Sequence, residues 1–190
     1  MSSFKKLGVL VAILALSAVG AANASAATFT SSATGTLAGK ALNTQVFTTD
    51  SGQVKCSTAN TSGSIVSTAS AEQHVTVEYK NCTAFGFASV DVSPATYLFT
   101  ATGVAHLKNT VTINVTLAGC HQTIEPQNSL GTITYTNLAG GKLGVDANVT
   151  GIVYYGTGGL CGSSTPKTNG TYTGNNEVER VGGGSISRDA

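Results

Sequence analysis

The mature part of this sequence predicts an all-β domain, an antiparallel β-sandwich or barrel stabilised by two disulfides. Three observations carry that prediction. Apolar and polar residues alternate with period two over several segments, as in strands with one buried and one wet face. Gly-, Asn- and Ser-rich turn signals separate those segments. Four cysteines, Cys56, Cys82, Cys120 and Cys161, lie in the same region, and an even count in an exported chain reads as a disulfide framework.

Export is read from the first residues. Lys5 and Lys6 precede an uncharged apolar run over residues 7–19, and small residues follow from Ala21 to Ala26. A basic n-region, a short apolar core and an A-x-A site define a secretory signal peptide, here residues 1–26. A spanning helix needs about 20 apolar residues, so the run is too short for an anchor. No cysteine follows the run to carry a lipid. The mature chain is therefore expected without a membrane span, as one all-β domain over residues 27–181. The Gly-rich residues 182–190 are expected as a flexible C-terminal tail.

The clearest strand is His74-Val75-Thr76-Val77-Glu78-Tyr79-Lys80, which sends Val75, Val77 and Tyr79 to one face. Val111, Ile113, Val115 and Leu117 alternate with Thr112, Asn114 and Thr116. Leu143, Val145, Ala147 and Val149 alternate with Gly144, Asp146, Asn148 and Thr150. Weaker strands fit residues 28–36, 44–49, 54–58, 85–92, 96–102, 133–136, 152–155 and 170–173. Turn signals stand at 50–52, Ser93-Pro94, 139–142, 156–159 and Asn169-Gly170. No mature segment keeps a 3.6-residue period, so helix is not expected there. No fixed-period repeat exists, which excludes a solenoid. The length suits one domain rather than two halves divided near residues 103–108.

Composition narrows the partners. Removal of Lys5 and Lys6 takes the ten basic residues to eight, against nine acidic ones. Charged residues make up 10% of the chain, against about 25% in ordinary soluble domains. Such a chain has no electrostatic footprint for nucleic acid or anionic lipid. Its polar surface is built from hydroxyls and amides. The cysteines allow three pairings, of which Cys56–Cys82 with Cys120–Cys161 closes loops that do not interleave. Loops of that length would stabilise by about 3.5 and 4 kcal/mol on the chain-entropy model. No C-x-x-C or His-x-His spacing points to a metal, and no cofactor motif is present.

Several phrases of the mature chain are Asn81-Cys82-Thr83-Ala84-Phe85-Gly86, Ile124-Glu125-Pro126-Gln127, Ile133-Thr134-Tyr135-Thr136-Asn137, Gly151-Ile152-Val153-Tyr154 and Asn169-Gly170-Thr171-Tyr172-Thr173-Gly174. In these the chain resembles a group of small secreted, β-rich, disulfide-containing proteins of high-GC Gram-positive bacteria. The resemblance spans most of the mature chain and implies secretion, the β fold and the non-interleaved pairing. It implies no activity. Members of the group often carry an additional cysteine pair in the middle, whereas this chain has no cysteine between Cys82 and Cys120.

No catalytic motif stands out. Gly162-Ser163-Ser164 lacks the second glycine of a nucleophile elbow. His74, His106 and His121 are scattered, and Asp91, Glu125 and Asp146 are not marked as a pair of glycosidic carboxylates. The densest polar functionality runs from Cys120 to Asn128. It makes His121, Gln122, Glu125 and Gln127 the candidate binding loop. The expected function is that of a secreted, non-enzymatic structural or binding protein with an extracellular or cell-envelope ligand. The alternative is a secreted hydrolase, directed at glycans or esters, whose site is assembled only in three dimensions. Exported protein should begin near Ala27. An intact mass that retains residues 1–26 on exported material would refute the signal-peptide reading.

Overall fold

The computed structural model describes residues 26–116, 119–161 and 163–189. The predicted signal peptide up to Ser25, Leu117 of the alternating run, and Gly162 lie outside the described residues. Fifteen strands follow one another. They are β1 (Thr28–Ser31), β2 (Gly35–Ala41), β3 (Gln45–Thr49), β4 (Gly52–Ile65), β5 (Ala69–Ser70), β6 (Glu72–Ala84), β7 (Ala88–Val92), β8 (Ala95–Thr100), β9 (Ala105–Leu107), β10 (Val111–Val115), β11 (Cys120–Ile124), β12 (Thr132–Leu138), β13 (Lys142–Thr157), β14 (Ser163–Arg180) and β15 (Ile186–Asp189).

Twelve of them form one sheet, and its pairings resolve into eight columns: β2 with β3, β4, β6, β7 with β8, β9 with β10, β11 with β12, β13, and β14. Each column runs antiparallel to the next in chain order. The last column returns to the first, with Arg180 opposite Leu37 and Tyr172 opposite Phe47. Bridges from Val104 to Thr132 and from Leu107 to Gln127 complete the contact between the fifth and sixth columns. The sheet is thus a closed up-and-down barrel, the form that leaves no sheet edge exposed. Both disulfides of the expected pairing are formed, Cys56–Cys82 and Cys120–Cys161. All four half-cystines are buried inside the lower end of the barrel.

The remaining three strands, in the order β15-β1-β5, make a small sheet over the upper end. Phe29 and Ile186 are its buried apolar residues. Phe29 meets Tyr135 edge to face, with ring centroids 5.1 Å apart. Arg188 donates through Nε to the carbonyl of Ala101 at 2.9 Å. The Asn137 side chain takes both backbone groups of Arg188, accepting from its N–H at 2.9 Å and donating to its carbonyl at 3.1 Å. The C-terminal residues, expected in a flexible tail over 182–190, therefore include a strand. It is ordered because Ile186 is buried and β1 supplies a full ladder from Thr28–Asp189 to Ser31–Ile186.

Four columns contain breaks, and side-chain amides mend three of them. Between β2 and β3, Asn43 Oδ1 accepts from the Asn175 backbone at 2.8 Å. Between β9 and β10, Asn109 Oδ1 accepts from the N–H of Thr96 at 2.7 Å, and its Nδ2 donates to the carbonyl of Pro94 at 2.9 Å. Between β11 and β12, Gln127 accepts from the Val153 N–H and donates to its carbonyl, both at 2.8 Å. An amide carries both a donor and an acceptor, so it replaces a missing peptide unit in a ladder. Ser93-Pro94, expected as a turn, is such a break between β7 and β8.

The strands expected at 143–150 and 152–155 are one strand, β13. Gly151, at a φ of 75°, forms a bulge there. The register against β14 shifts between Val149 and Ile152. The extra residue restores the inward phase, so Val149, Ile152 and Tyr154 are all buried.

Gly39 faces inward between two neighbouring columns. A Cβ there would stand 2.6 Å from Val178 Cγ1 and 2.8 Å from the Glu177 carbonyl. At Gly144 a Cβ would have its nearest neighbours at 3.4 Å, Leu138 Cδ1 and the Thr136 carbonyl. Gly39→Ala should cost about 1–3 kcal/mol by overpacking, and Gly144→Ala no more than about 0.5 kcal/mol. Urea unfolding of the two variants side by side measures this, and equal losses would contradict the packing described.

Candidate functional site

Alternation along eight closed columns sends every second side chain into one lumen, and the lumen is not filled. Two cavities, about 90 Å³ and about 60 Å³, lie one above the other and share Tyr79, Tyr97, Leu130, Ile152 and Tyr172 in their walls. The upper cavity reaches the small sheet at Phe29 and Ile186, and the lower one reaches Phe47 and Cys56. Neither wall contains Asp, Glu, Lys, Arg or His.

Five polar side chains of the lumen, Gln45, Tyr79, Tyr97, Tyr172 and Asn176, form one connected set, while Thr61, Gln73 and Tyr135 line the upper cavity outside it. Gln45 is buried on β3, and its Nε2 donates to the Asn43 carbonyl at 2.9 Å and to the Asn175 carbonyl at 3.3 Å. That fixes Gln45 Oε1 as an acceptor, which receives the Tyr172 hydroxyl and, at 3.4 Å, Asn176 Nδ2. Tyr79 donates its proton to the Tyr172 oxygen at 3.4 Å. The 3.1 Å contact between Tyr79 and Tyr97 is then donated by Tyr97. Asn176 Oδ1 is the one buried side-chain polar atom among the described residues that has no partner.

Burial raises the pKa of Tyr79 well above the ordinary tyrosine value, with the nearby Tyr172 and Tyr97 adding to the shift. Burial likewise raises Tyr97, Tyr135 and Tyr172. These hydroxyls stay neutral because a phenolate in the lumen would be poorly solvated.

The predicted candidate binding loop is a strand in its first part and a connection only after Ile124. Cys120–Ile124 is β11, and its alternation separates the side chains. Gln122 points inward, is buried, and donates to Thr49 Oγ1 at 3.0 Å. His121 is exposed on the outer face, its Nδ1 2.6 Å from Asn114 Oδ1. Glu125 accepts from Tyr155 at 2.6 Å and from Thr110 at 2.8 Å. Those two bonds, Tyr155 first, hold its carboxyl below the usual range. Gln127 is committed to the Val153 backbone.

The other titratable candidates are also spread over the outer surface. Asp91 stands opposite Asn114, and Asp146 opposite Asn175. His74 and His106 flank Leu98 from the columns on either side. Two column spacings amount to roughly 10 Å. Among the described residues no group of three His, Cys, Asp or Glu side chains is arranged to hold a metal, and no helix is long and apolar enough to cross a membrane.

Sequence reasoning placed Tyr79 on an inward face but did not find its partners. Gln45 and Asn176 carry no pattern signal, because a polar residue at an inward position looks like a break in the alternation. The chain matches no family model, no curated protein and no solved structure.

The raised tyrosines make stability depend on alkaline pH. Below about pH 10 both folded and unfolded chains keep these phenols protonated, and stability is fully present. Above it the unfolded chain ionises first, so stability falls as pH rises. In an absorbance titration of phenolate, the signal of the lumen tyrosines should appear together with loss of the near-ultraviolet circular dichroism. Smooth ionisation of all tyrosines near pH 10 in a still-folded protein would contradict the buried network.

Proposed function

We propose that this chain is an exported, non-enzymatic binding protein that holds a small apolar molecule inside its barrel. The observation that carries the reading is the unfilled lumen, walled by apolar and aromatic side chains with a few neutral polar groups. Ligand sites are commonly concave and mostly apolar with a small number of placed polar groups, and eight-stranded barrels are wide enough to hold one small ligand. A dry apolar cavity of about 150 Å³ takes a benzene, and the upper cavity, about 90 Å³, is of the same order. Two disulfides and the predicted signal peptide support an extracellular setting. The absence of an acid or base from the described cavity walls favours binding over turnover.

Toluene is a suitable first probe. It should bind saturably, raise the melting temperature, and shift the methyl resonances of Val77, Val149 and Ile152. Val145→Phe, which adds a ring to the upper cavity, should keep the fold and abolish those shifts. Methyl resonances that do not move in the unaltered protein would rule the lumen out as a site. Turnover of a glycan or ester, lost on changing Asp91, Glu125 or Asp146, would instead establish the hydrolase alternative.

A further inference from the structure

We infer that Thr61 is the polar anchor of the lumen, and that its hydroxyl, on the wall of the upper cavity, receives the one hydrogen-bonding group of an uncharged, single-ring ligand. This rests on the lumen being the binding site and adds the chemistry of the ligand. Thr61 stands between Ala59 and Gly63 in the inward row of β4, lines the upper cavity, and is 7% exposed. Its neighbours across the two ladders are Gly39 on β2 and Val77 on β6. Neither has a side chain that can hydrogen-bond. The other polar side chains of that wall, Gln73, Tyr79, Tyr97, Tyr135, Tyr172 and Asn176, each hold a hydrogen bond within the protein. Thr61 Oγ1 holds none. It is also not sealed off, because among the described residues Asn176 Oδ1 is the one unpartnered side-chain polar atom without accessible surface. On an inward side chain of the cavity wall, the space that Oγ1 meets is the cavity.

Placing a hydroxyl in an apolar space without a partner costs stability. Valine has nearly the same shape and would line the wall without that cost. A hydrogen bond from a ligand offsets it. A hydroxyl both donates and accepts, so the matching group is an alcohol, a phenol or a carbonyl. The rest of the ligand would lie against apolar side chains such as Val75, Val77 and Val145. A charged ligand meets no Asp, Glu, Lys, Arg or His in the wall, and burying an unpaired charge is prohibitive. Size follows from the upper cavity, about 90 Å³, which is of the order that takes one aromatic ring.

The test uses the full mature protein, the variants Thr61→Val and Thr61→Ser, and three probes of similar size: toluene, phenol and benzoate. Affinities are read by calorimetry or by methyl shifts. Phenol should bind Thr61→Val on the order of tenfold more weakly than the unaltered protein, as the loss of one buried hydrogen bond requires. Toluene should bind the two alike, and Thr61→Ser, which keeps the hydroxyl, should keep the affinity for phenol. Benzoate should not bind, and benzoate bound as tightly as phenol overturns the requirement for a neutral ligand. In the unaltered protein, phenol ring protons should show nuclear Overhauser contacts to the Thr61 γ-methyl. Should neither variant fold, those contacts decide alone, and their absence overturns the anchor. Phenol undiminished in Thr61→Val, or toluene weakened as much as phenol, also overturns the anchor and leaves the lumen reading standing. Failure of toluene and phenol alike on the unaltered protein overturns both.

Discussion

The pairing of the first column with the last is the constraint on which the structure depends. Once β14 closes onto β2 and β3, the sheet has no free edge in the barrel and its circumference is fixed by eight columns. Every inward side chain must then share one lumen of set width. Small residues occupy the crowded positions, Gly39 against Val178 and Ala59 and Ala147 in the wall. Larger rings fill the middle, where Tyr79 and Tyr172 meet edge to face at 6.2 Å and Tyr97 stacks on Phe99 at 5.6 Å. The cavities lie on either side of Tyr79, Tyr97 and Tyr172, which belong to both walls.

Closure also explains the unusual composition. A closed ladder cannot shed a mismatch at an edge, so each break must be repaired in place. Asn109 and Gln127 do this with a donor and an acceptor on one group, which neither a lysine nor a carboxylate possesses, and Asn43 does it with its side-chain oxygen alone. The chain is poor in charge and rich in amides and hydroxyls because those groups serve inside a continuous hydrogen-bonded surface. The two disulfides act in the same place, joining neighbouring walls at the lower end, while the chain ends are used to cover the upper one.

Much of this architecture was legible from periodicity. The inward faces of β6, β10 and β13 follow from Val75-Val77-Tyr79, Val111-Ile113-Val115 and Leu143-Val145-Ala147-Val149, and the cysteine pairing preferred among the three possible ones is the one formed. The joins were not legible. A bulge at Gly151 reads in sequence as the end of a strand, because the alternation changes phase there. Ser93-Pro94 reads as a turn, because nothing local reveals that Asn109 will take over the missing ladder bonds. The strand at Ile186–Asp189 was hidden by the glycines before it, and its partner β1 lies at the opposite end of the chain. Density of polar residues drew the candidate site to Cys120–Asn128. In a barrel wall, that density is divided by alternation between outside and inside, so neighbours in sequence do not become neighbours in a site.

The lumen network shows how closure reaches the chemistry. Gln45 lies on β3, Asn175 and Asn176 on β14, and Asn43 in the break before β3, so all four belong to the closing seam. The seam holds Gln45 Nε2 with the carbonyls of Asn43 and Asn175, and that fixes the direction in which Gln45 Oε1 looks. Tyr172 and Asn176 must both point donors at it. The orientation then passes along Tyr172, Tyr79 and Tyr97 as a one-way chain of hydroxyls. Gly174 permits it, since a side chain there would collide with the Gln45 amide. The polarity of the cavity wall is thus a consequence of how the first and last columns are joined, and the same pairing that closes the barrel leaves Asn176 Oδ1 buried without a partner.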